Sequence, residues 1–404
     1  MSRIYKISTF LIMMSVVILY GCDKKKSDVS PNEDEMESMV IVALNNKTLS
    51  LDGRTGTIKW EINKVGKFGV GNRKLYMEAG DRYRLNNPND TTALYAMPDT
   101  MKNLFILDGF NGKAIWAKNT LLRPNFVHVC CTPSEQSELI GIAGDIALFH
   151  SKRTDAVEYN HSKAIYAYDL TAEKIKWVVL IEDMVYPSLI NGKIQVDAPF
   201  SHECYFLDVQ TGKEIQKYSS DSPHMISGGY FFSIKNAETL IAIDEISKEV
   251  KWEFHDENGG PASNGSFVAG DNGVYYGTDW GMIYGVDKKT GVKKWEFKTD
   301  RQDFIGEGRF WEGMVIFPAR EGRIYALDSE TGQLKWRAWV GDGIWEYPSR
   351  LTIKNGRIFT SISGKRLFCL DAKTGKKKWD FNFTTPQYYG VVNFWIFDKI
   401  ELDF

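Results

Sequence analysis

The sequence predicts an all-β fold, an eight-bladed β-propeller, and a recurring phrase carries that prediction. The stretch IYALDSETGQLKW, Ile324 to Trp336, returns in altered form as IYGVDKKTGVKKW and LFCLDAKTGKKKW. Each copy alternates as a strand does, turns at an Asp and a Gly, and resumes as a second strand bearing a Trp. From the fourth copy onward the spacing is about forty residues, the length of a blade of four short strands.

Alignment on the Asp finds eight copies, at Asp52, Asp108, Asp169, Asp208, Asp244, Asp287, Asp328 and Asp371. A Trp follows eight residues later in seven of them: Trp60, Trp116, Trp177, Trp252, Trp295, Trp336 and Trp379. The fourth copy has Gln216 there. Six copies place Gly four residues after the Asp. The Asp carboxylate can accept hydrogen bonds from the turn N–H groups, and Gly takes a positive φ at low cost. The Trp presents a large apolar face to a neighbouring unit, so the units must stack to bury themselves.

Copy six shows the layout of one blade: SFVAG, GVYYGT, MIYGVD and KKWEFK are four strands, with DWG as a tight turn. The first copy, Val40 to Glu61, has room for only three. The apolar tail segment Tyr388 to Phe397 is expected to supply the missing inner strand, so that a C-terminal strand closes the ring and removes its open edges.

The phrase A-x-D-x-x-T-G-x-x-x-W, as in ALDSETGQLKW and AIDEISKEVKW, resembles the tryptophan-docking repeat of the quinoprotein-type, or PQQ-like, propeller family. The resemblance covers residues 40 to about 380. Copies three and five, with TAEK and ISKE, lack the turn glycine, and copy four lacks the Trp, so local irregularity is expected there. The family includes quinone-dependent dehydrogenases and non-enzymatic relatives, so the resemblance implies the fold and leaves the function open.

The 404-residue chain is 43% hydrophobic and 13% aromatic, enough for a large packed core. Its net charge is −2, and no basic block stands out beyond short runs such as Lys24–Lys26, which argues against a nucleic-acid partner. Arg3 and Lys6 precede an apolar run from Ile7 to Leu19 that is short for a membrane span and reads as a signal peptide over residues 1–21. Leu19-Tyr20-Gly21-Cys22 resembles the lipobox of bacterial lipoproteins, which implies cleavage before Cys22 and its lipidation. The polar stretch DKKKSDVSPNEDEMES follows, and residues 22–38 are expected to be a flexible tether ahead of a propeller over 39–404. As a coil, that stretch reaches roughly 20–25 Å. With its lipid anchor, the chain is most similar within the family to the scaffold lipoproteins of the outer-membrane barrel assembly machine.

Two turns between second and third strands are long. Copy two inserts Gly80 to Asn103, and copy three inserts Lys152 to Lys163. Both should leave from the same face of adjacent blades, and long loops on a rigid scaffold suit recognition. Tyr83, Tyr95, Met97, Tyr159 and His161 are the candidate contacts on them. The connections between blades carry Glu182, Asp183, Asp256, Glu257, Asp303, Asp342 and Glu346 beside Trp345 and Tyr347, a set expected to rim the central channel.

Cys130-Cys131 is the one pair that points toward chemistry, because quinoprotein alcohol dehydrogenases carry adjacent cysteines beside the quinone. No segment here is long enough to enclose that quinone, and Cys204 and Cys369 read as small core residues. No histidine has metal-ligand spacing.

Three functional readings follow. The first is a non-catalytic protein-binding scaffold of the cell envelope, monomeric, without cofactor, held to the membrane by its lipid alone, with a barrel assembly complex as partner. The outer membrane is favoured over the inner. The second is a small quinoprotein dehydrogenase using PQQ with calcium near Cys130 and Cys131. The third is carbohydrate or peptide recognition at the channel mouth through Trp345 and Tyr347.

Overall fold

The computed structural model describes residues 38–398, except 45–46, 64–65, 72–73, 81–101, 108–111, 120–134, 154–161, 182–184, 191, 199–202, 220–222, 237, 258–259, 261, 302–303, 321, 342–347, 363–364 and 384–392. The expected signal peptide, the lipid-bearing Cys22 and all but the last residue of the tether lie outside them. Every element among the described residues is a β-strand.

Thirty-two strands form eight antiparallel four-stranded sheets, in which the strands follow chain order in every blade but the first. Blade 7 shows why its sequence folds this way. Its second and third strands, Met314–Ala319 (MVIFPA) and Arg323–Asp328 (RIYALD), are buried along nearly their whole length. Both faces of these strands meet a neighbouring blade, so they are apolar throughout rather than alternating. The outer strand, Leu334–Trp339, buries only Trp336 fully and leaves charged side chains in water.

The first strands of successive blades line the axis. Gly66–Gly71 neighbours Glu135–Ala143, which neighbours Tyr186–Ile190; Ala262–Ala269 neighbours Arg309–Trp311, which neighbours Thr352–Lys354. Blade 1 takes its inner strand from the C-terminus, as expected. Asn393–Asp398 pairs antiparallel with Ser38–Ala43, with Ser38 opposite Asp398 and Ala43 opposite Asn393. Residues 388–392 of the expected segment lie outside the described residues. Trp395 packs on Phe68 of blade 2 with ring centroids 5.3 Å apart, so the closing strand is bound into both neighbours.

The repeated turn works as its residues require. Asp328 accepts hydrogen bonds from the N–H groups of Glu330 (3.1 Å) and Thr331 (2.9 Å) and from the Thr331 hydroxyl (2.9 Å). Lys335 lies 3.0 Å away, and together these donors hold the Asp328 carboxyl at a pKa of about 2. Asp52, Asp169, Asp208, Asp244, Asp287 and Asp371 are likewise held below the usual carboxylate range by turn donors. Asp108 lies outside the described residues.

The Trp then docks on the next blade's turn. Trp336 Nε1 donates to the carbonyl of Ala372 (3.1 Å), the residue after Asp371, and its ring lies against Gly375. A Cβ on Gly375 would stand 2.4 Å from the indole, so that position needs glycine for contact as well as for its φ of 69°. Trp177, Trp252 and Trp295 bond the equivalent carbonyls, and Trp379 bonds Gly53 (3.0 Å) across the ring closure. Trp60 packs on Gly112; Trp116 lies in Ala114–Asn119, its side chain outside the described residues.

The expected irregularity of copies three, four and five takes a specific form. Glu173 and Lys248 occupy the glycine position at φ of 51° and 62°, without glycine. Gln216 keeps the Trp hydrogen bond: its Nε2 donates to the carbonyl of Glu245 (2.9 Å), the residue after Asp244. The turns therefore survive where the motif does not. Cys204 and Cys369 are free and fully buried, as expected, and burial pushes the Cys369 thiol up to about 12.

Candidate functional site

The disc has two unlike faces. The Asp turns share one, here the turn face, with the turns between first and second strands. Ser329 N–H donates to Gly313 O (2.9 Å), Lys288 to Asn272 O (3.0 Å) and Ala372 to Gly356 O (2.8 Å), tying each pair of turns together. The other, the loop face, carries the turns between second and third strands and the connections between blades. There Thr299 N–H donates to Gly281 O (2.9 Å), Val340 to Gly322 O (2.8 Å) and Phe383 to Lys365 O (2.8 Å).

On blades 6 to 8 the loop face is a lattice of short turns. Asp300, on the connection from blade 6 to blade 7, accepts from Arg323 (2.9 Å) and Arg337 (2.5 Å) of blade 7. Glu307 pairs with Arg309 (2.7 Å) and with Arg350 (3.2 Å), the last leading into blade 8. Exposed pairs of this kind contribute little stability singly, about 0–1 kcal/mol, but they fix the positions of the connections. Trp280 and Trp339 stand out of this lattice at 53% and 68% exposure. The Arg323 guanidinium lies 5.9 Å from the Trp339 ring, and Trp280 rests on Gly260, where a Cβ would stand 2.3 Å from it. Exposed Trp beside Arg is a composition suited to protein contact.

Blades 2 and 3 carry the long insertions. Gly80 pairs with Lys102 and Ser162 with Lys152, so each insertion springs from a closed strand pair at the loop face, in neighbouring blades. Tyr83, Tyr95, Met97, Tyr159 and His161 lie outside the described residues. So do Cys130 and Cys131, and so do Trp345 and Tyr347 with Glu182, Asp183, Asp303, Asp342 and Glu346. Of the acids expected at the channel mouth, Asp256 sits elsewhere: Lys293 of the outer strand of blade 6 binds it at 2.9 Å, drawing it to the blade seam away from the axis. Its two carboxylate neighbours, Glu296 and Asp256, hold the Lys293 ammonium well above the usual lysine value. Among the described residues, no group of three or more His, Cys, Asp or Glu is placed to hold a metal ion.

Sequence reasoning passed over Trp280, seen only as a turn residue, and Trp339. The signal for Trp339 was present: it is a second Trp three residues after the docking Trp336, so it falls on the opposite side of the same strand.

A family model described as outer membrane protein assembly factor BamB matches residues 205–310 and 281–391. No curated protein sequence matches the chain. Among solved structures, BamB from Moraxella catarrhalis is similar at a TM-score of 0.51 and 15% identity, covering 87% of this chain and 94% of that one. The dihydro-heme d1 dehydrogenase NirN in complex with DHE is similar at a TM-score of 0.59 and 12% identity, covering 88% and 74%. The computationally designed Ika8 protein is similar at a TM-score of 0.54 and 12% identity, covering 85% and 98%. At these identities the structural likenesses concern the fold.

Proposed function

From the family match over residues 205–391 and the eight four-stranded blades, we propose that the chain is a PQQ-like propeller and a lipid-anchored envelope protein whose loop face is a non-catalytic binding scaffold for another protein. The observation that carries the proposal is the placing of both long insertions on one face of adjacent blades, beside a lattice of short turns that exposes Trp280 and Trp339. A rigid ring with two adjacent long loops offers a broad, preorganised surface, and preorganisation lowers the entropic cost of association. The family match to BamB supports a component of the outer-membrane barrel assembly machinery as the partner. The same match supports an outer-membrane location, and the lipobox-like Leu19-Tyr20-Gly21-Cys22 supports Cys22 as the lipid-bearing residue.

The test is affinity capture of the tagged, lipidated protein from gently solubilised native membranes, with mass spectrometry of what it retains. Because Gly80 faces Lys102 directly, the intervening loop can be replaced by a two-residue turn without altering the strand register. Capture of a barrel assembly protein by the intact chain and its loss from the shortened one is the expected result. The same retained proteins from both forms, or no barrel component from either, overturns it. A coloured prosthetic group in the purified protein would favour the quinoprotein reading instead.

A further inference from the structure

The two faces also differ in the apolar side chains they expose. Around the outer rim of the turn face these are aliphatic: Ile58, Ile215, Ile246, Val250, Val292 and Leu334, with Ile246 exposed to 93%. The loop face exposes the aromatic Trp280, Trp339 and Tyr186, with Leu180 as its one strongly exposed aliphatic among the described residues. Between the aliphatic side chains stand Lys289, Lys373 and Lys376, exposed and without an ion pair among the described residues. Isolated surface aliphatics are ordinary. Here they share a rim with unpaired lysines, and the chain reaches the ring at that same face.

The point of arrival is well defined. Ser38 O accepts the Gly53 N–H (2.8 Å), and Gly53 O accepts Trp379 Nε1 (3.0 Å). The preceding tether therefore joins the propeller on the turn face, at the seam between blades 8 and 1, next to the turn that carries Lys373 and Lys376. On the sequence reading of residues 22–38 as a flexible tether, a coil of that length would reach roughly 20–25 Å and would keep the face where it attaches close to the anchor.

We propose that the turn face is the membrane-facing surface of the protein and lies on an anionic phospholipid bilayer, turning the loop face away toward the partner. The inference rests on the lipid-anchor reading above. The anchor confines the face to a small volume at the surface, so weak contacts suffice to orient it. A lysine near an anionic surface gains about 1 kcal/mol, and a difference of about 1.4 kcal/mol between two orientations is already tenfold in population. Aliphatic tips between the lysines add contact with the headgroup boundary.

Leu334 and Trp339 are the two ends of one outer strand, about 17 Å apart and on opposite faces. A fluorophore is attached at Leu334→Cys or at Trp339→Cys, in the lipidated chain with Cys130→Ser and Cys131→Ser, reconstituted on phosphatidylethanolamine vesicles containing phosphatidylglycerol and a headgroup-level quencher. The probe at 334 is expected to be quenched at least threefold more than the probe at 339, and a probe at Ile58→Cys, on the turn face of blade 1, to behave like that at 334. Phosphatidylcholine vesicles, or Lys373→Glu with Lys376→Glu, should cut that ratio by at least half while the protein still floats with the vesicles. Equal quenching at both ends, stronger quenching at 339, or a ratio indifferent to lipid charge overturns the orientation alone. A protein that does not float with the vesicles overturns the anchor reading, and the orientation with it.

Discussion

The seam between blades 7 and 8 and the seam between blades 4 and 5 join the same kind of unit by different means. At the first, Trp336 fills the interface together with Ile316, Ile324, Ile358, Phe368 and Leu370, and one indole supplies both apolar contact and a hydrogen bond. At the second, the core is smaller, built on Cys204, Phe206, Tyr218, Phe231, Ile241 and Ile243. There the two tasks are divided. Gln216 makes the hydrogen bond, while Tyr218, two residues on, stacks against Phe231 at 3.8 Å between centroids. No indole covers the next turn, and Lys248 stands at the glycine position with its ammonium 4.1 Å from the Tyr218 ring. The Tyr218 hydroxyl is buried without a hydrogen-bond partner, and burial raises its pKa. The missing Trp of copy four and the missing Gly of copy five thus face each other across one seam.

The largest effect should come from breaking the indole seam. Trp336→Ala is expected to cost about 3–5 kcal/mol in urea denaturation, against about 1 kcal/mol for Gln216→Ala, which removes a hydrogen bond and little buried area. Equal losses at the two positions would remove the distinction between the seams. Next, Gly375→Ala should cost about 2–4 kcal/mol, through positive φ and the collision with Trp336. Its counterpart Lys248→Gly should shift stability by less than about 1 kcal/mol, since no indole covers that turn. A sharper test converts one seam toward the other. Gln216→Trp alone should destabilise, because the Lys248 Cβ occupies the ring's place, and adding Lys248→Gly should recover stability. The coupling in that double-mutant cycle should be about 1–3 kcal/mol; additive effects would show the two departures to be independent.

The smallest effect concerns what both seams share. The folded pKa of Asp328, about 2, lies below the unfolded value near 3.9. On acidification the unfolded chain therefore takes up the proton first. The stabilisation from this carboxylate is complete above about pH 4–5 and is lost as the pH falls toward 2. Discounted for solvent screening, Asp328→Asn should lower stability at neutral pH by about 1 kcal/mol and flatten the urea midpoint between pH 4 and pH 2. Asp244→Asn should act in the same direction and more weakly, because Lys251 acts on that carboxylate through its charge alone, whereas Lys335 lies 3.0 Å from Asp328 and bonds it. A midpoint whose pH slope is unchanged in both variants would mean that the turn carboxylates do not drive the acid sensitivity.

Much of the fold was legible because its determinants are local. An Asp that caps a turn and a Gly that takes positive φ act within five residues, and repetition made the Asp visible eight times and the Gly six times. The closing strand could be inferred too, since Val40 to Glu61 leaves one strand unaccounted for and a ring must be closed. The candidate site was less legible. Asp256 read as a channel acid because it lies on a connection, yet its partner Lys293 is thirty-seven residues away and on an outer strand. Trp280 read only as part of a tight turn and Trp339 drew no reading, and only the packing of neighbouring blades leaves them outside the core.

By itself the sequence determined the unit, its number and the need for its Trp to find a neighbour, because turn chemistry and two-residue alternation operate at short range. Tertiary structure alone decided which residues answer one another across a seam. Gln216 with Glu245, Lys248 with Tyr218 and Gly53 between Ser38 and Trp379 meet only when the ring closes. The physical reason is that a blade's faces are apolar without being specific, and the partner that covers each position is chosen by the geometry of stacking.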